Sequence, residues 1–290
     1  MLRYSRLMWA VLILASCATA PSLGKSKDLD INPRVSDPEH GHAALESYRS
    51  YRWSSDFSFF IEMRHMPRRG RDTLFDGQMW GTVDERGTLH RYHLSTVGKE
   101  GRGNVNLIIK NGIHPYAYSH SDTEDEMEYH KLTNKELFEP LFARLVHTPF
   151  DLQMPFIHWN NYVYEGYERT KGRPVYTYIF HPPDSLKEEN PDLGVVRLSL
   201  DARFNAPVKI EMFDEKKIPT KTFKIISFKK VGEEWIPKSI DLLDERSRDK
   251  TRFTVVAAAF NLELPHQLFS PQSLNAVARP IPINKFEFLK

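Results

Sequence analysis

Asp56-Phe57-Ser58-Phe59-Phe60-Ile61-Glu62-Met63-Arg64 decides the fold. Phe57, Phe59, Ile61 and Met63 alternate with Asp56, Ser58, Glu62 and Arg64. That period of two turns one face of a strand to a core and leaves the other more polar. Only Phe60 breaks the alternation. Working toward the C-terminus, Met79–Val83, Leu89–Val97, Val105–Ile109 and Ile113–Tyr118 repeat the pattern. Arg68-Arg69-Gly70-Arg71 and Asp84-Glu85-Arg86-Gly87 turn the chain, and Lys110-Asn111-Gly112 is a hairpin signal. After a break, strands resume at Tyr162–Tyr167, Val175–Phe180, Val195–Leu200 and Val208–Phe213, then at Thr220–Phe228, Trp235–Leu243 and Thr251–Ala257. The spacing predicts roughly 10–12 strands in consecutive hairpins, a mainly β chain. Hairpins imply an antiparallel sheet, and one this long curls into a barrel or partial barrel. No helical run is long enough for repeated parallel crossovers.

The break contains the short helices. Ala43 to Trp53 reads as an amphipathic helix, and Thr133-x-x-Glu136 as a capping box with Pro140 close behind. Asp122 to Glu128 is acidic and reads as a solvated loop. Thr148-Pro149-Phe150-Asp151 is a helix start: a cap, a proline at the first helical position and an acid in the first turn. Helical spacing puts Phe150 and Met154 on one face of the segment it opens and Leu152 and Phe156 on another.

The N-terminus reads as an address. Arg3 and Arg6 precede the nine-residue apolar run Leu7–Ala15, too short to span a membrane and typical of an export signal. Leu14-Ala15-Ser16-Cys17 resembles a bacterial lipobox, in which the cysteine carries the acyl chains. Plain cleavage after Ser16-Cys17-Ala18 or Ala18-Thr19-Ala20 is the rival reading. Thr19 to Pro38, with Pro21, Gly24, Pro33 and Pro38, has no apolar period and reads as a tether. The expected organisation is a lipoprotein-type signal over 1–16, a tether over 17–38 and one domain over 39–290, held at the outer membrane by Cys17.

Composition narrows the function classes. Of 290 residues, 40% are apolar and 27% charged, which excludes a polytopic membrane protein and a wholly disordered chain. Lys and Arg number 40 against 38 Asp and Glu, and loss of the signal, with Arg3 and Arg6, balances them. A balanced chain lacks the basic field that nucleic acid requires. A single Cys excludes an intrachain disulfide, a Cys-based zinc site and a Cys-ligated cluster. Twelve His give no good metal motif: His90 and His93 fall on opposite faces of a strand. No Gly-x-Ser-x-Gly elbow or phosphate loop occurs, so no catalysis and no cofactor are expected.

What stands out is a surplus of large apolar side chains. Tyr162, Tyr164, Tyr176, Tyr178 and Phe180 recur at spacing two on adjacent strands. Phe150, Leu152, Met154, Phe156 and Trp159 lie just before them, and Phe57, Phe59, Ile61 and Met63 supply another apolar face. Each taken alone is as easily ordinary core. Together they suit a greasy concave face under a short helical lid, a cavity for acyl chains.

Pro149-Phe150-Asp151-Leu152 with Met154-Pro155 and Trp159, then Tyr164-x-Gly166, Gly172-Arg173-Pro174 and Pro182-Pro183, resemble the LolA-like outer-membrane lipoprotein-sorting proteins. Trp235-Ile236-Pro237, Thr251-x-Phe253, Asn261, Phe269-Ser270 and Leu274 resemble that family's closing strands and tail. The resemblance covers about residues 45–275. It implies a half-open antiparallel β-barrel with helices over its concave side, a cavity for acyl chains of lipoproteins or other lipids, and no catalysis. The lipobox makes the chain more like an anchored receptor than a soluble carrier. An envelope sensor or scaffold, with a packed cavity and a protein partner yet to be identified, is the alternative.

Overall fold

The computed structural model describes residues 37–84, 87–97, 103–123, 126–170 and 172–290. The signal, Cys17 and nearly all of the tether lie outside these residues.

Asp37 caps α1 (Pro38–Ser50), its carboxylate accepting from the Glu39 amide, with Pro38 in the first turn. The helix thus begins five residues before the apolar pattern at Ala43 and ends before Trp53. Six strands follow as a meander: β1 (Asp56–Met66), β2 (Thr73–Asp84), β3 (Gly87–Thr96), β4 (Asn104–Lys110), β5 (Tyr116–Thr123) and β6 (Glu126–Lys131). The connection 132–161 holds α2 (Pro149–Gln153) and the 3-10 turn Pro155–His158. A second meander comprises β7 (Tyr162–Thr170), β8 (Arg173–Phe180), α3 (Asp184–Glu189), β9 (Leu193–Asp201), β10 (Pro207–Asp214), β11 (Pro219–Val231), β12 (Glu234–Asp244) and β13 (Lys250–Leu262). A two-residue β14 (Glu287–Phe288) closes the chain.

Every strand pairing is antiparallel, in the order β6-β5-β4-β3-β2-β1-β13-β12-β11-β10-β9-β8-β7. The first and last meanders therefore join through β1 and β13, and β6 and β7 remain as edges. Among the described residues the result is a curled fourteen-stranded sheet that does not close, a half-open barrel whose concave side is covered by short helices. Two strands exceed the expected number. β6 falls in the acidic run read as a loop; it is an outermost strand, where little apolar patterning is required. β14 pairs with Ala257 and Ala258 after a long excursion of the tail. The return strand after Asn111-Gly112 begins at Tyr116, leaving Ile113 exposed in the turn.

Phe60 has a structural reason to break the alternation. Phe57, Phe59, Ile61 and Met63 join the concave core, while Phe60 points outward and stacks on Phe286 of the tail at 4.3 Å. At that point β13 carries an extra residue, Val256, between Ala257 opposite Phe60 and Val255 opposite Ile61. The tail, 263–290, straps the convex face. Buried Arg91 donates to Ser273 Oγ at 3.1 Å and to the Ala276 carbonyl at 2.7 Å, and its guanidinium lies 5.7 Å from the centre of the Trp80 ring.

Gly81 is a packing requirement. A Cβ there would stand 2.0 Å from the Phe57 ring, which is fully buried and has nowhere to go.

Candidate functional site

The concave face carries two apolar clusters. The first is built on the β1–β5 half: Phe57, Phe59, Ile61 and Met63 meet Phe75, Tyr92, Leu94, Leu107 and Ile109. The second is built on β8–β12, where Tyr178, Phe180, Leu198, Ile210 and Phe223 pack against Phe150, Phe156 and Leu45 of α1. The twelve cavity candidates divide between them. Phe57, Phe59, Ile61, Met63 and Leu152 belong to the first; Phe150, Met154, Phe156, Trp159, Tyr164, Tyr176 and Tyr178 belong to the second. Seven are 0–3% exposed, and Leu152, Met154, Trp159, Tyr164 and Tyr176 are half-buried.

The covering segment runs along the seam. Thr148 and Asp151 form the expected capping box: Thr148 Oγ1 accepts from the Asp151 amide, and the Asp151 carboxylate accepts from the Thr148 amide at 2.9 Å. The helix lasts only to Gln153, because Met154 adopts a left-handed φ of 48° and Pro155 follows. That reversal corrects the expected faces. Leu152 turns to the first cluster, whereas Phe156, expected beside it, joins Phe150 and Met154 in the second. Leu137 touches both clusters. The other capping box, at Thr133 and Glu136, forms as expected but opens only the 3-10 turn Glu136–Phe138.

Polar groups hold the cover down. Gln153 is 2% exposed, and its amide Nε2 donates to the carbonyls of Lys110 at 3.0 Å and Tyr116 at 3.1 Å. Lys221 Nζ on β11 donates to Asp151 Oδ2 at 2.5 Å and to the Val146 carbonyl at 3.1 Å. Asp151 Oδ1 is buried with no partner. His147 is buried beside this pair, also with an unpartnered Nδ1. Burial pushes His147 down to about 4; the Lys221 ammonium adds to the shift and the Asp151 carboxylate opposes it.

The α1 helix clamps the second turn of the cover. Arg49 donates through Nε to the Ile157 carbonyl at 2.5 Å and through Nη2 to the Trp159 carbonyl at 2.8 Å. Its guanidinium lies 5.0 Å from the centre of the Tyr162 ring. Tyr178 donates to the Gly41 carbonyl at 2.6 Å, and burial raises its phenol well above the usual range. Tyr164 is pushed up to about 12, mainly by burial, and its hydroxyl has no hydrogen-bond partner among the described residues. The tyrosine face of β7 and β8 is therefore sealed by α1.

The sequence reading missed Gln153, Lys221, His147 and Arg49. Gln153 alone carried a signal: a polar residue inside the run Phe150–Phe156. His90 and His93 do lie on opposite faces. His90 meets the Phe57 ring at 5.9 Å, and His93 bonds Asn106 at 2.8 Å.

A protein-family model described as an uncharacterized protein matches residues 149–276. No curated protein matches the chain. Solved structures do. An outer membrane lipoprotein-sorting protein domain from Vibrio parahaemolyticus superposes with a TM-score of 0.68 at 12% identity, covering 82% of this chain and 97% of that one. A DUF1329 family protein from Desulfovibrio piger gives 0.68 at 12% identity, over 81% and 98%. A LolA superfamily protein from Nitrosomonas europaea gives 0.59 at 14% identity, over 79% and 97%. At these identities the likeness is one of fold: this chain has the LolA-like fold that its motifs resemble.

Proposed function

We propose that this protein binds lipid acyl chains, free or carried by a lipoprotein, inside its half-open barrel, and takes part in lipoprotein sorting or lipid transfer in a bacterial envelope. The observation that carries the reading is the seam. A short cover, held by a few polar contacts, lies between two apolar clusters that span the concave face. Polar contacts of this kind exchange for water at small net cost, whereas each acyl methylene buried returns about 0.8 kcal/mol. Loading driven by relative affinity needs no cofactor and no catalytic residue. The lipobox-like Leu14–Cys17 supports an acyl anchor on Cys17 and a periplasm-facing position at the outer membrane. The balanced charge supports lipid rather than nucleic acid as the ligand.

One observation favours the sensor or scaffold reading: Phe57, Phe150, Phe156 and Tyr178 are already fully buried by the chain's own side chains. Leu152→Asp separates the two. Leu152 is half-buried and lies on the cover facing the first cluster. In a lipid site, its replacement by a carboxylate weakens binding of a fluorescent fatty acid at least tenfold and leaves the melting temperature nearly unchanged. In a packed core, the same change lowers the melting temperature sharply. A folded variant with unaltered affinity would remove the cover from the site.

A further inference from the structure

The hairpin of β11 and β12 leaves the sheet. β11 pairs with β10 only as far as Lys224, yet it pairs with β12 to Val231. β12 pairs with β13 only over Ser239–Leu243. Residues 225–238 therefore project as a two-stranded arm. Its inner side, Val231 and Ile236, packs under the barrel with the first cluster, and Glu234 at its tip accepts from Ser54 and Tyr51. The edge of β11 from Ile225 to Val231 has no strand partner among the described residues. At a rise of about 3.3 Å per residue, that is roughly 20 Å of open edge.

A groove of about 400 Å³ runs between this edge and β10, where Pro207 and Val208 diverge, with Thr170 and Arg173 at one end. Its apolar lining is Pro207, Val208, Ile225, Ile226 and Phe228; Ile226 is 50% exposed and Phe228 36%. Its cations are Arg173, Lys209 and Lys224. Lys209 and Lys224 stand directly opposite each other in the β10–β11 register, a like-charge pair that a bound anion relieves. Glu211 pairs with Lys209 and Asp201 with Arg173, but Lys224 has no ion pair among the described residues.

We propose that this groove binds an extended acidic segment of a partner protein, which adds a strand to the open edge of β11. An unpaired strand edge presents alternating amide donors and carbonyl acceptors, and another strand satisfies both. A lipid headgroup offers acceptors for the cations and a few donors, but no row of alternating donors and acceptors at strand spacing. Lysines along an edge discourage pairing with a second copy of the same basic strand. Lys224, Ile226 and Phe228 are spaced by two and share one face of β11, so the segment that fits carries, on one face of its own strand, a carboxylate beside Lys224 and small apolar residues beside Ile226 and Phe228. The site lies outside the concave interior, so it is independent of the lipid reading.

The test uses the full chain and a fluorescein-labelled peptide, Ser-Val-Ser-Val-Ser-Glu-Ser, which places Val, Val and Glu on one strand face in antiparallel order to Lys224, Ile226 and Phe228; binding is followed by anisotropy. We expect saturable binding and slowed amide exchange confined to 225–231. Lys224→Glu weakens binding at least tenfold with the melting temperature unchanged. A peptide of the same sequence N-methylated at alternate residues loses binding to a similar degree. Absence of binding by the parent peptide overturns the proposal. So does equal binding of the N-methylated peptide, which would reduce the groove to a charge patch. Binding of phosphatidylglycerol vesicles that displaces the peptide, with no change in exchange at 225–231, would assign the patch to a membrane surface and overturn it as well. Fatty-acid binding measured on Lys224→Glu stays at the wild-type value, so the two readings fail separately.

Discussion

Replacing Gln153 by Met tests whether the cover is a gate. The Gln153 side chain is 2% exposed and donates to two backbone carbonyls, of Lys110 at 3.0 Å and Tyr116 at 3.1 Å. Methionine keeps nearly the same length and volume, so no large cavity forms; it removes only the donors. In the closed state both carbonyls are then left without that partner. When the cover lifts, water reaches them. The loss is therefore charged to the closed state alone, and at about 1 kcal/mol for each bond it amounts to about 2 kcal/mol. At 1.4 kcal/mol per decade the open population rises roughly 30-fold. Apparent affinity scales with the competent fraction, so a ligand that enters only the open form binds faster and more tightly by up to that factor.

Two measurements on Gln153→Met decide the matter. Hydrogen exchange reports opening directly: amides of 150–157 exchange faster, while those of β1 and β9 keep their protection. Stopped-flow uptake of a fluorescent fatty acid reports entry, and its rate rises by about an order of magnitude or more. If exchange at 150–157 accelerates and uptake does not change, the cover opens without admitting lipid, and the gate is refuted. If neither changes, the two hydrogen bonds do not hold the cover and the energetic argument is refuted at its first step.

Two further outcomes are expected. His147 is held down to about 4 in the fold, against about 6.5 for a free imidazole, so its contribution to stability is fully present above pH 6.5 and is lost as the pH falls through 4. The melting temperature, level from pH 7 to 8, declines across that window; His147→Gln makes the decline shallower, and an unchanged slope would deny the ring its part. In cells, Cys17→Ser abolishes incorporation of labelled palmitate and leaves precursor or soluble protein, whereas absence of label on the wild type would remove the anchor.

Period two was sufficient for the sheet because each half-buried strand writes its own pattern locally. Phe57, Phe59, Ile61 and Met63 declare a concave face without reference to the rest of the chain. What eluded the sequence depends on distant partners. Phe60 broke the pattern because Phe286, more than two hundred residues on, covers the outer face at that point. Arg91 on β3 carries no local mark of burial; Ser273 and Ala276 from the tail bury it. β14 has two residues and no pattern at all. The cover was legible as a capped helix because Thr148 and Asp151 write a local signal. Its faces were not, since the left-handed Met154 is decided by Pro155 and by the two clusters competing for the segment. Lys221 became visible as a latch only when β11 was brought against the cover, and Gln153, a polar break in the apolar run, finds its acceptors only at the β4–β5 turn.

A packed interior and a lipid ligand do not exclude each other, and the magnitudes say why. To admit a chain at the seam, the cover must lift Phe150, Leu152 and Met154 out of the two clusters. Exposing such side chains costs about 1.5–3 kcal/mol each, less for the two that are only half-buried, so roughly 4–8 kcal/mol in total. A palmitoyl chain has about fourteen methylenes and gains about 11 kcal/mol on full burial, at about 0.8 each. Long chains therefore displace the cover with a surplus, which must still meet the cost of immobilising the ligand. Chains of half that length gain about 6 kcal/mol, within the range that the cover loses, and keep no surplus to meet the cost of immobilisation. On the proposed lipid reading, the side chains of the cover act as occupants of the site in the empty protein, protecting the apolar face from water until a ligand long enough to replace them arrives. The same packing that makes Phe150 look like ordinary core is what sets that length threshold.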